Sequence, residues 1–577
     1  MIRKLYSNLP SFKQVDFHPG LNLILANKSE GATDKQTRNG AGKSSLVELI
    51  HSLLGSELSK TSLLKNKALS SYGFGLELEL NGEVVAVQRS GANGGKVYVK
   101  YPQIIGSQEP DGYAAVSNQL WVDILGEKMF GITPEMRQLK KGPSFRTMFS
   151  YFARSAGGYE SPNKVFSQQP SYSINLSLLY LLKLNWKIAH QIEEVRQKEK
   201  LIQALKDAAE DGALSEVVGT VDDLYTEILL KQTEIDKLSK ELSEFRVLPQ
   251  YRELEMRVAS VTNQFVQLSA EDTVDKEWLV ELKKLRENEG GGFSLDKIKK
   301  LFQEAKVSFP DLVTKRYEEL ERFHKSILAN RKEHLEEEFN QIMIRLGDRY
   351  KLKKELEKEK SEILQTLQSH GALDQHMRLQ KKLIKMEADV QTLNEKHRMI
   401  TSLDSDSADL KRERMALQKN LQLDYIERKK VIDEAIISYS KISEELYDEP
   451  GKFIVGTTVY GPKFEYEIAG KKSAGKSKML IFCFDMMLMK LWANEPSRPT
   501  VLIHDSIMFD GVDERQIAKA LVLGSKLSKE YNFQYIVTMN SDDLPDMSSY
   551  EGFDLSAHKV SVDINDTQNG GLFGIRF

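Results

Sequence analysis

Cysteine is almost missing from this sequence: Cys483 is the only one in 577 residues. A single thiol excludes intramolecular disulfides and cysteine-based zinc sites, and it fits a reducing compartment. Long apolar runs are absent too. The most apolar stretch, Met479 to Trp492, is broken by Asp485 and Lys490, and nothing approaches the ~20 residues that a membrane helix needs. The opening residues, Met1 to Phe12, lack the apolar centre of a secretory signal. No charge sign dominates: the net charge is −3 although 29% of residues are charged, which argues against a chain built to coat polyanions. The expectation is a soluble, cytoplasmic chain with no membrane partner, too long for one ordinary domain.

Proline and glycine thin out in one region, from about 186 to 445, where Lys, Glu, Gln and Leu dominate. Val221, Leu224, Ile228, Ile235, Leu238, Leu242 and Phe245 fall on alternating three- and four-residue steps, with Lys231 the one polar position. Leu379, Leu383, Met386, Val390, Leu393, His397 and Ile400 repeat that spacing. Sustained stripes of this kind, flanked by charge, are coiled-coil seams, and His397 in such a seam is a tolerated polar position rather than a ligand. Gly290 to Gly292 and Ser308 to Pro310 separate the seams. The economical reading is an antiparallel helical arm over 186–445 that turns near 289–312, jointed at Pro249, Gly371 and Thr401 to Ala408. A compact helical bundle made from the same segments is the competing arrangement.

Globular segments flank this region, 1–185 and 446–577. In the first, Leu76, Leu78 and Leu80 alternate with Glu77 and Glu79 before Asn81-Gly82, a strong hairpin signal. In the second, strands are expected over Phe453 to Val459, Phe464 to Ile468, Thr500 to Ile503 and Gln534 to Thr538. Helices are expected over Ser477 to Trp492 and Arg515 to Lys529, and Gly571 to Phe577 reads as an edge strand.

Two stretches carry phosphate chemistry. Asn39-Gly40-Ala41-Gly42-Lys43-Ser44-Ser45 lies between the buried-strand pattern Leu21 to Ala26 and the helical pattern Leu46 to Ile50. Glycines there let backbone N–H groups close around phosphate, Lys43 can reach the β- and γ-phosphates, and Ser44 can sit on Mg²⁺. The P-loop pattern wants a glycine where this chain has Thr37. Gly470 to Ser477, with Lys476 in the lysine position, satisfies the pattern better, and it too stands between a strand and a helix. It equally suits a helix N-terminus, with Ser473 and Gly475, that a second protomer presents to a γ-phosphate. Asp505 follows an apolar strand and is placed to hold Mg²⁺. The next residue, where a hydrolytic site favours a glutamate, is Ser506, so either hydrolysis is slow or Asp510, Asp513 or Glu514 orients the water. Lys140, Lys141, Arg146, Arg154 and Lys297 to Lys300 are scattered, as on solvated faces.

Taken together, FHPGLNLILAN, RNGAGKSSLVELI and the hairpin GFGLELELNGEVVAVQR resemble the N-terminal half-head of SMC, RecF and RecN-type ATPases. SAGKSKMLIFCFDMMLMKLW resembles their degenerate ABC signature, and VLIHDSIMFDGVDERQ their Walker B and D-loop. From the signature to GGLFGIRF the chain is similar to a bacterial coiled-coil ATPase family. That family has a C-terminal domain of unknown function and occurs in ABC-three-component, defence-type systems. The resemblance implies an α/β P-loop NTPase head assembled from both chain ends, with an inserted antiparallel α-helical coiled-coil arm. It implies ATP and Mg²⁺ as cofactors. Asn39, Gly40, Ala41, Gly42, Lys43, Ser44 and Ser45 become phosphate and metal ligands. Ser473, Gly475 and Lys476 close over a partner's nucleotide. Asp513 lies in the D-loop, Gln168 or Gln169 is a Q-loop metal ligand, and Asn540 stands where a switch histidine is usual. Heads would form an ATP-bridged homodimer whose arms act on DNA or on separate effector or middle-component subunits, in genome maintenance or anti-phage or plasmid defence. The alternative is an ATP-dependent scaffold that barely turns over and recruits a separate nuclease or effector.

Overall fold

Asn81 and Gly82 both take positive φ, 49° and 84°, the geometry that lets two residues reverse a strand without splaying it. In the computed structural model that contains this turn, the described residues are 1–27, 42–102, 112–139, 141–211, 221–244, 249–287, 310–367, 372–468, 474–548, 550, 552–567 and 569–576. Met1–Glu193 and Arg414–Phe577 belong to one compact unit. The described parts of Glu194–Lys299 and Glu321–Glu413 belong to a second.

The first unit begins with β1 (Ile2–Ser7), β2 (Val15–Asp16) and β3 (Gly20–Asn27), followed by helix α1 (Lys43–Leu53). The hairpin strands β4 (Gly73–Leu80) and β5 (Glu83–Ser90), with β6 (Lys96–Lys100) and β7 (Ala114–Ser117), complete a six-stranded antiparallel sheet of order β2-β1-β4-β5-β6-β7. Helices α2 (Asn118–Phe130), α3 (Pro134–Gln138), α4 (Phe145–Phe149) and α5 (Ser171–Leu181) follow.

The long helices come next: α6 (Lys187–Asp211), α7 (Val221–Glu244), α8 (Pro249–Glu287), α9 (Pro310–Leu367) and α10 (Ala372–Glu427). Within the second unit they pair in opposite directions. Asp275 meets Arg345, Asp272 meets Arg349 and Lys353, and Glu359 meets Arg257, so α8 and α9 are antiparallel. Lys206 meets Asp404 and Tyr225 lies against His397, so α6 and α7 are antiparallel to α10. The helical region is thus an antiparallel coiled coil, elaborated beyond a single pair. Its α8 runs parallel to α10, as the contacts Glu255–His376 and Glu277–Lys396 show. The expected turn near 289–312 lies mostly outside the described residues, and Gly371 lies outside them altogether. The expected joint at Thr401 to Ala408 is absent: α10 runs through it without a break. Thr401 donates its hydroxyl back to His397 O at 2.7 Å, which removes the competition that Ser, Thr and Asp side chains usually offer to a helix.

After α11 (Lys429–Tyr447) come the two-stranded ribbon β8 (Lys452–Thr458) and β9 (Gly461–Glu467), then α12 (Ala474–Trp492), β10 (Val501–His504), α13 (Glu514–Glu530), β11 (Gln534–Asn540) and β12 (Ile564–Asn565). These two ends of the chain share one sheet, of order β10-β11-β3-β12, with every pairing parallel. Ile503 N donates to Phe152 O at 2.7 Å and Ala153 bridges Ile503 in parallel, so Tyr151 to Ala153 lies along the free edge of β10. Parallel strands need both faces covered, and β3 is accordingly buried from Gly20 to Ala26. The middle of helix α12, Ile481 to Met489, is buried without exception and apolar on every side but for Asp485, as a helix inside a core must be. Gly571 to Arg576 is a series of turns rather than the expected edge strand. Glycines at 571 and 574 favour turns there, and the edge strand beside β3 is Ile564–Asn565.

Candidate functional site

Open parallel sheets bind ligands beyond the carboxyl ends of their strands, and here that edge gathers residues from both chain ends. His504 pairs with Val537 and Val537 with Leu23, so the residues after them, Asp505 and Thr538, emerge together. Asp505 is 3% exposed. Its Oδ1 accepts from Thr538 Oγ1 at 2.7 Å, from Ser506 N at 2.7 Å and from Ser506 Oγ at 3.3 Å. Lys43, the first residue of α1, donates its Nζ to Asn540 Oδ1. Asn540 in turn donates to Asp543 Oδ2 at 2.6 Å.

Which of the two lysine–serine pairs belongs with Asp505 is decided by one contact. Ser44 Oγ donates to Asp505 Oδ2 at 2.7 Å. A serine hydroxyl and a carboxylate side by side are the hard oxygen pair that Mg²⁺ takes with phosphate oxygens. Among the described residues, the N-terminus of α1 has neither a side-chain cap nor an acidic residue in its first turn, and the positive end of the helix favours an anion there. Gly42 before it has φ 91° and lies so close to the C-terminal segment that a Cβ would stand 3.0 Å from Leu572 Cβ. Only glycine takes that left-handed conformation without strain. These residues fit a Mg²⁺–nucleotide. Ser45 follows in the same first turn, and Asn39, Gly40 and Ala41 lie outside the described residues.

Two family models match parts of the chain. Residues 442–577 match the family described as an uncharacterised protein conserved in bacteria. Residues 280–397 match C-terminal domain 10 of the ABC-three component systems. No curated protein matches the chain. Among solved structures, the chain is similar to the Smc head domain with a coiled coil and joint from Pyrococcus yayanosii. The two are 16% identical with a TM-score of 0.34, over 93% of this chain and 92% of that one. It is also similar to the Smc head domain with an extended coiled coil from Pyrococcus furiosus, bound in that structure to the C-terminal domain of ScpA. There the identity is 15% and the TM-score 0.31, over 94% and 90% of the two chains.

The second phosphate-like stretch sits elsewhere in the head. Lys476 lies 5.9 Å from the centre of the Tyr447 ring, whose hydroxyl donates to Gln516 at 3.1 Å. Gly475 packs on the turn after Asp510: a Cβ there would meet Gly511 O at 2.3 Å. Ser473 lies outside the described residues. Asp513 caps α13, accepting from Arg515 N at 3.1 Å and Nε at 3.2 Å. These hydrogen bonds hold its carboxyl below the usual range. Glu514 accepts from Asp546 N at 2.8 Å.

Other expected residues have different partners. Gln168 is exposed. Gln169 is buried, accepting from Val165 N at 2.9 Å and donating to Ser173 Oγ at 3.3 Å. The side chain that this loop sends to Asp505 is Tyr159, whose hydroxyl accepts from Asp505 N at 2.9 Å. The placement of Arg146 and Arg154 on solvated faces is overturned. Arg146 donates to His51 Nδ1 at 2.9 Å and to Leu54 O at 3.2 Å, and Arg154 is fully buried against Asp485. Lys141 is paired with Glu193 at 3.9 Å, whereas Lys140 and Lys297 to Lys300 lie outside the described residues. Tyr159 and Thr538 are the site residues that sequence reasoning passed over. A hydroxyl inside the apolar strand Gln534 to Met539 was the one available signal for Thr538.

Proposed function

We propose that this head binds ATP with Mg²⁺ at Lys43, Ser44 and Asp505, hydrolyses it, and uses it to bring two heads together. The Ser44–Asp505 contact carries this reading, because it joins the N-terminal loop to the C-terminal strand in the geometry that the chemistry requires. Gly40 to Ser45 would cradle the phosphates, with Lys43 moving from Asn540 to the β- and γ-oxygens. Bound Mg²⁺ would neutralise charge on those oxygens. Ser473 and Gly475 would close over the nucleotide of the second protomer, with Asp513 at the seam. Asn540 is left as a hydrogen-bond donor to the γ-phosphate through its amide. Light scattering of the full chain with and without ATP and Mg²⁺ tests the switch. Dimers are expected only with both, and a chain that stays monomeric at saturating ATP overturns it.

Of the three acids offered in place of the missing glutamate, Asp513 is committed to the α13 cap and Glu514 to the Asp546 amide. Asp510 remains. Partial desolvation lifts its carboxyl above the usual range; Lys478 and Lys43 oppose the lift, whereas Asp543 and Asp505 add to it. Asp510 would orient the attacking water as a carboxylate, so turnover falls as pH drops through that raised value. Asp510→Asn should lower turnover about 100-fold, at the low end of general-base contributions, and abolish this acid limb while ATP still binds. A pH–rate profile under saturating ATP checks both. If Asn changes neither, the head is the slow scaffold that Ser506 suggests.

The match of 280–397 to a domain of three-component systems supports a partner subunit engaged through the helical arm. Such a partner, DNA as a substrate, and a role in defence or genome maintenance belong to the same proposal. Among the described residues, no helix is long and apolar enough to cross a membrane.

A further inference from the structure

The head contains a fully buried polar chain behind Asp505 that phosphate chemistry does not require. Arg154 Nε and Nη2 donate to the two oxygens of Asp485 on α12, at 2.8 Å and 2.7 Å. Its Nη1 also donates to Gly158 O at 2.9 Å and Lys164 O at 2.8 Å, and Nη2 to Pro162 O at 3.0 Å. One guanidinium therefore clamps the loop 158–164 onto α12 and uses the fork geometry that distinguishes Arg from Lys. Tyr159 projects from that loop. It is 3% exposed, its hydroxyl accepts from Asp505 N at 2.9 Å, and its proton points to Arg154 O at 3.4 Å. Lys478, in the second turn of α12, lies 5.2 Å from the Tyr159 ring. Asp485 Oδ2 is also 3.2 Å from His504 Nε2, and His504 Nδ1 is 3.0 Å from the Tyr535 hydroxyl.

We infer that Tyr159 is a positioning residue for Asp505, and that Arg154 relays to it the position of helix α12. The inference rests on the reading of Asp505 and Ser44 as the Mg²⁺ ligands. A carboxylate that shares a metal with phosphate has to be held closely in place. The amide of Asp505 is buried, and Tyr159 is what satisfies it; without the hydroxyl, the main chain at Asp505 must shift to find another acceptor. Because the loop is fastened to α12, whose first residues abut the turn at Gly511, displacement of that helix end when a second head docks is passed to the metal ligand. Nothing covalent is involved. The device couples the start of α12 to metal affinity.

The test uses the full chain and reads the Mg²⁺ dependence of ATP binding, not turnover. Wild type, Tyr159→Phe, Arg154→Lys and Lys43→Ala are titrated with ATP over a range of Mg²⁺ concentrations, and each is melted without ligand. Tyr159→Phe should bind ATP in the absence of Mg²⁺ as wild type does, but need about tenfold more Mg²⁺ for the half-maximal gain in affinity, the usual effect of losing an outer-shell partner. Arg154→Lys, which keeps the charge and loses the fork, should shift in the same direction. If Arg154→Lys does not fold, Tyr159→Phe alone decides. A Tyr159→Phe protein with a lower melting temperature but unaltered Mg²⁺ dependence overturns the inference, since that is what a purely structural hydroxyl would give. A wild-type chain whose ATP binding ignores both Mg²⁺ and Lys43→Ala overturns the underlying site reading instead, so the two failures are distinguishable.

Discussion

Replacing Lys43 by alanine is expected to weaken ATP binding about 10- to 100-fold, whereas Lys476→Ala leaves the affinity of a single head for nucleotide within about twofold of wild type. The first figure follows from losing a hydrogen bond made by a charged group, about 1.5–3 kcal/mol. The contrast follows from placement. Lys43 opens α1 at the carboxyl edge of the parallel sheet, beside Asn540 and one residue from the Ser44–Asp505 pair. Lys476 lies instead over the Tyr447 ring. Equilibrium titration with a labelled nucleotide, at protein concentrations where the heads are apart, measures both. A wild-type affinity for Lys43→Ala together with a large loss for Lys476→Ala would move the nucleotide to the second stretch. Keeping the titration below the dimerisation range matters, because in the proposed dimer Lys476 would act on a partner's nucleotide and its removal would weaken the ATP-bridged pair.

Those two lysines also show where sequence reasoning reaches its limit. Both stretches stand between strand and helix patterns, and the better match to the pattern is the later one; spacing alone could not rank them. What ranks them is which serine reaches Asp505, and Ser44 and Asp505 are 461 positions apart. Local signals were legible for a local reason. Asn81-Gly82 needs φ values few residues tolerate, and Val501 to His504 and Gln534 to Asn540 are apolar because both faces of a parallel sheet are covered. The Gly571 to Phe577 run misleads for the converse reason, since Leu572 and Phe573 pack in turns between Gly571 and Gly574. The seams at Val221 to Leu242 and Leu379 to Ile400 were legible as helices and as antiparallel partners. The return of α8 was not, because what reveals it is its parallel run along α10, through contacts such as Glu255 with His376 and Glu277 with Lys396 that are remote in sequence. Tyr159 and Arg154 were out of reach for the same reason: nothing in GGYE or FARS announces partners 346 and 331 residues away.

Arg154 carries the largest stability effect to be expected in the head. Arg154→Met should cost about 3–5 kcal/mol, the penalty for leaving one member of a buried ion pair without its partner. Both side chains have 0% exposure, so solvent cannot relieve the Asp485 charge that remains. Burial alone would lower the Arg154 pKa, but Asp485, with smaller help from Tyr151 and Tyr159, more than reverses this. His504 offers Asp485 little substitute, since burial pulls the imidazole pKa below its ordinary value and keeps it from charging readily. Removing both charges separates the two jobs of the guanidinium. If Arg154 served only as a counter-ion, Arg154→Met with Asp485→Asn, which removes the second charge and still leaves an oxygen for His504 Nε2, would return close to wild-type stability. The carbonyls of Gly158, Pro162 and Lys164 would still have lost their donor. The double variant is therefore expected to stay about 1–3 kcal/mol below wild type, the penalty for buried polar groups left unsatisfied. Denaturant unfolding of the two single variants and the double gives the cycle. Full recovery in the double would reduce Arg154 to a counter-ion; a residual deficit keeps it as the clamp that holds the Tyr159 loop against α12.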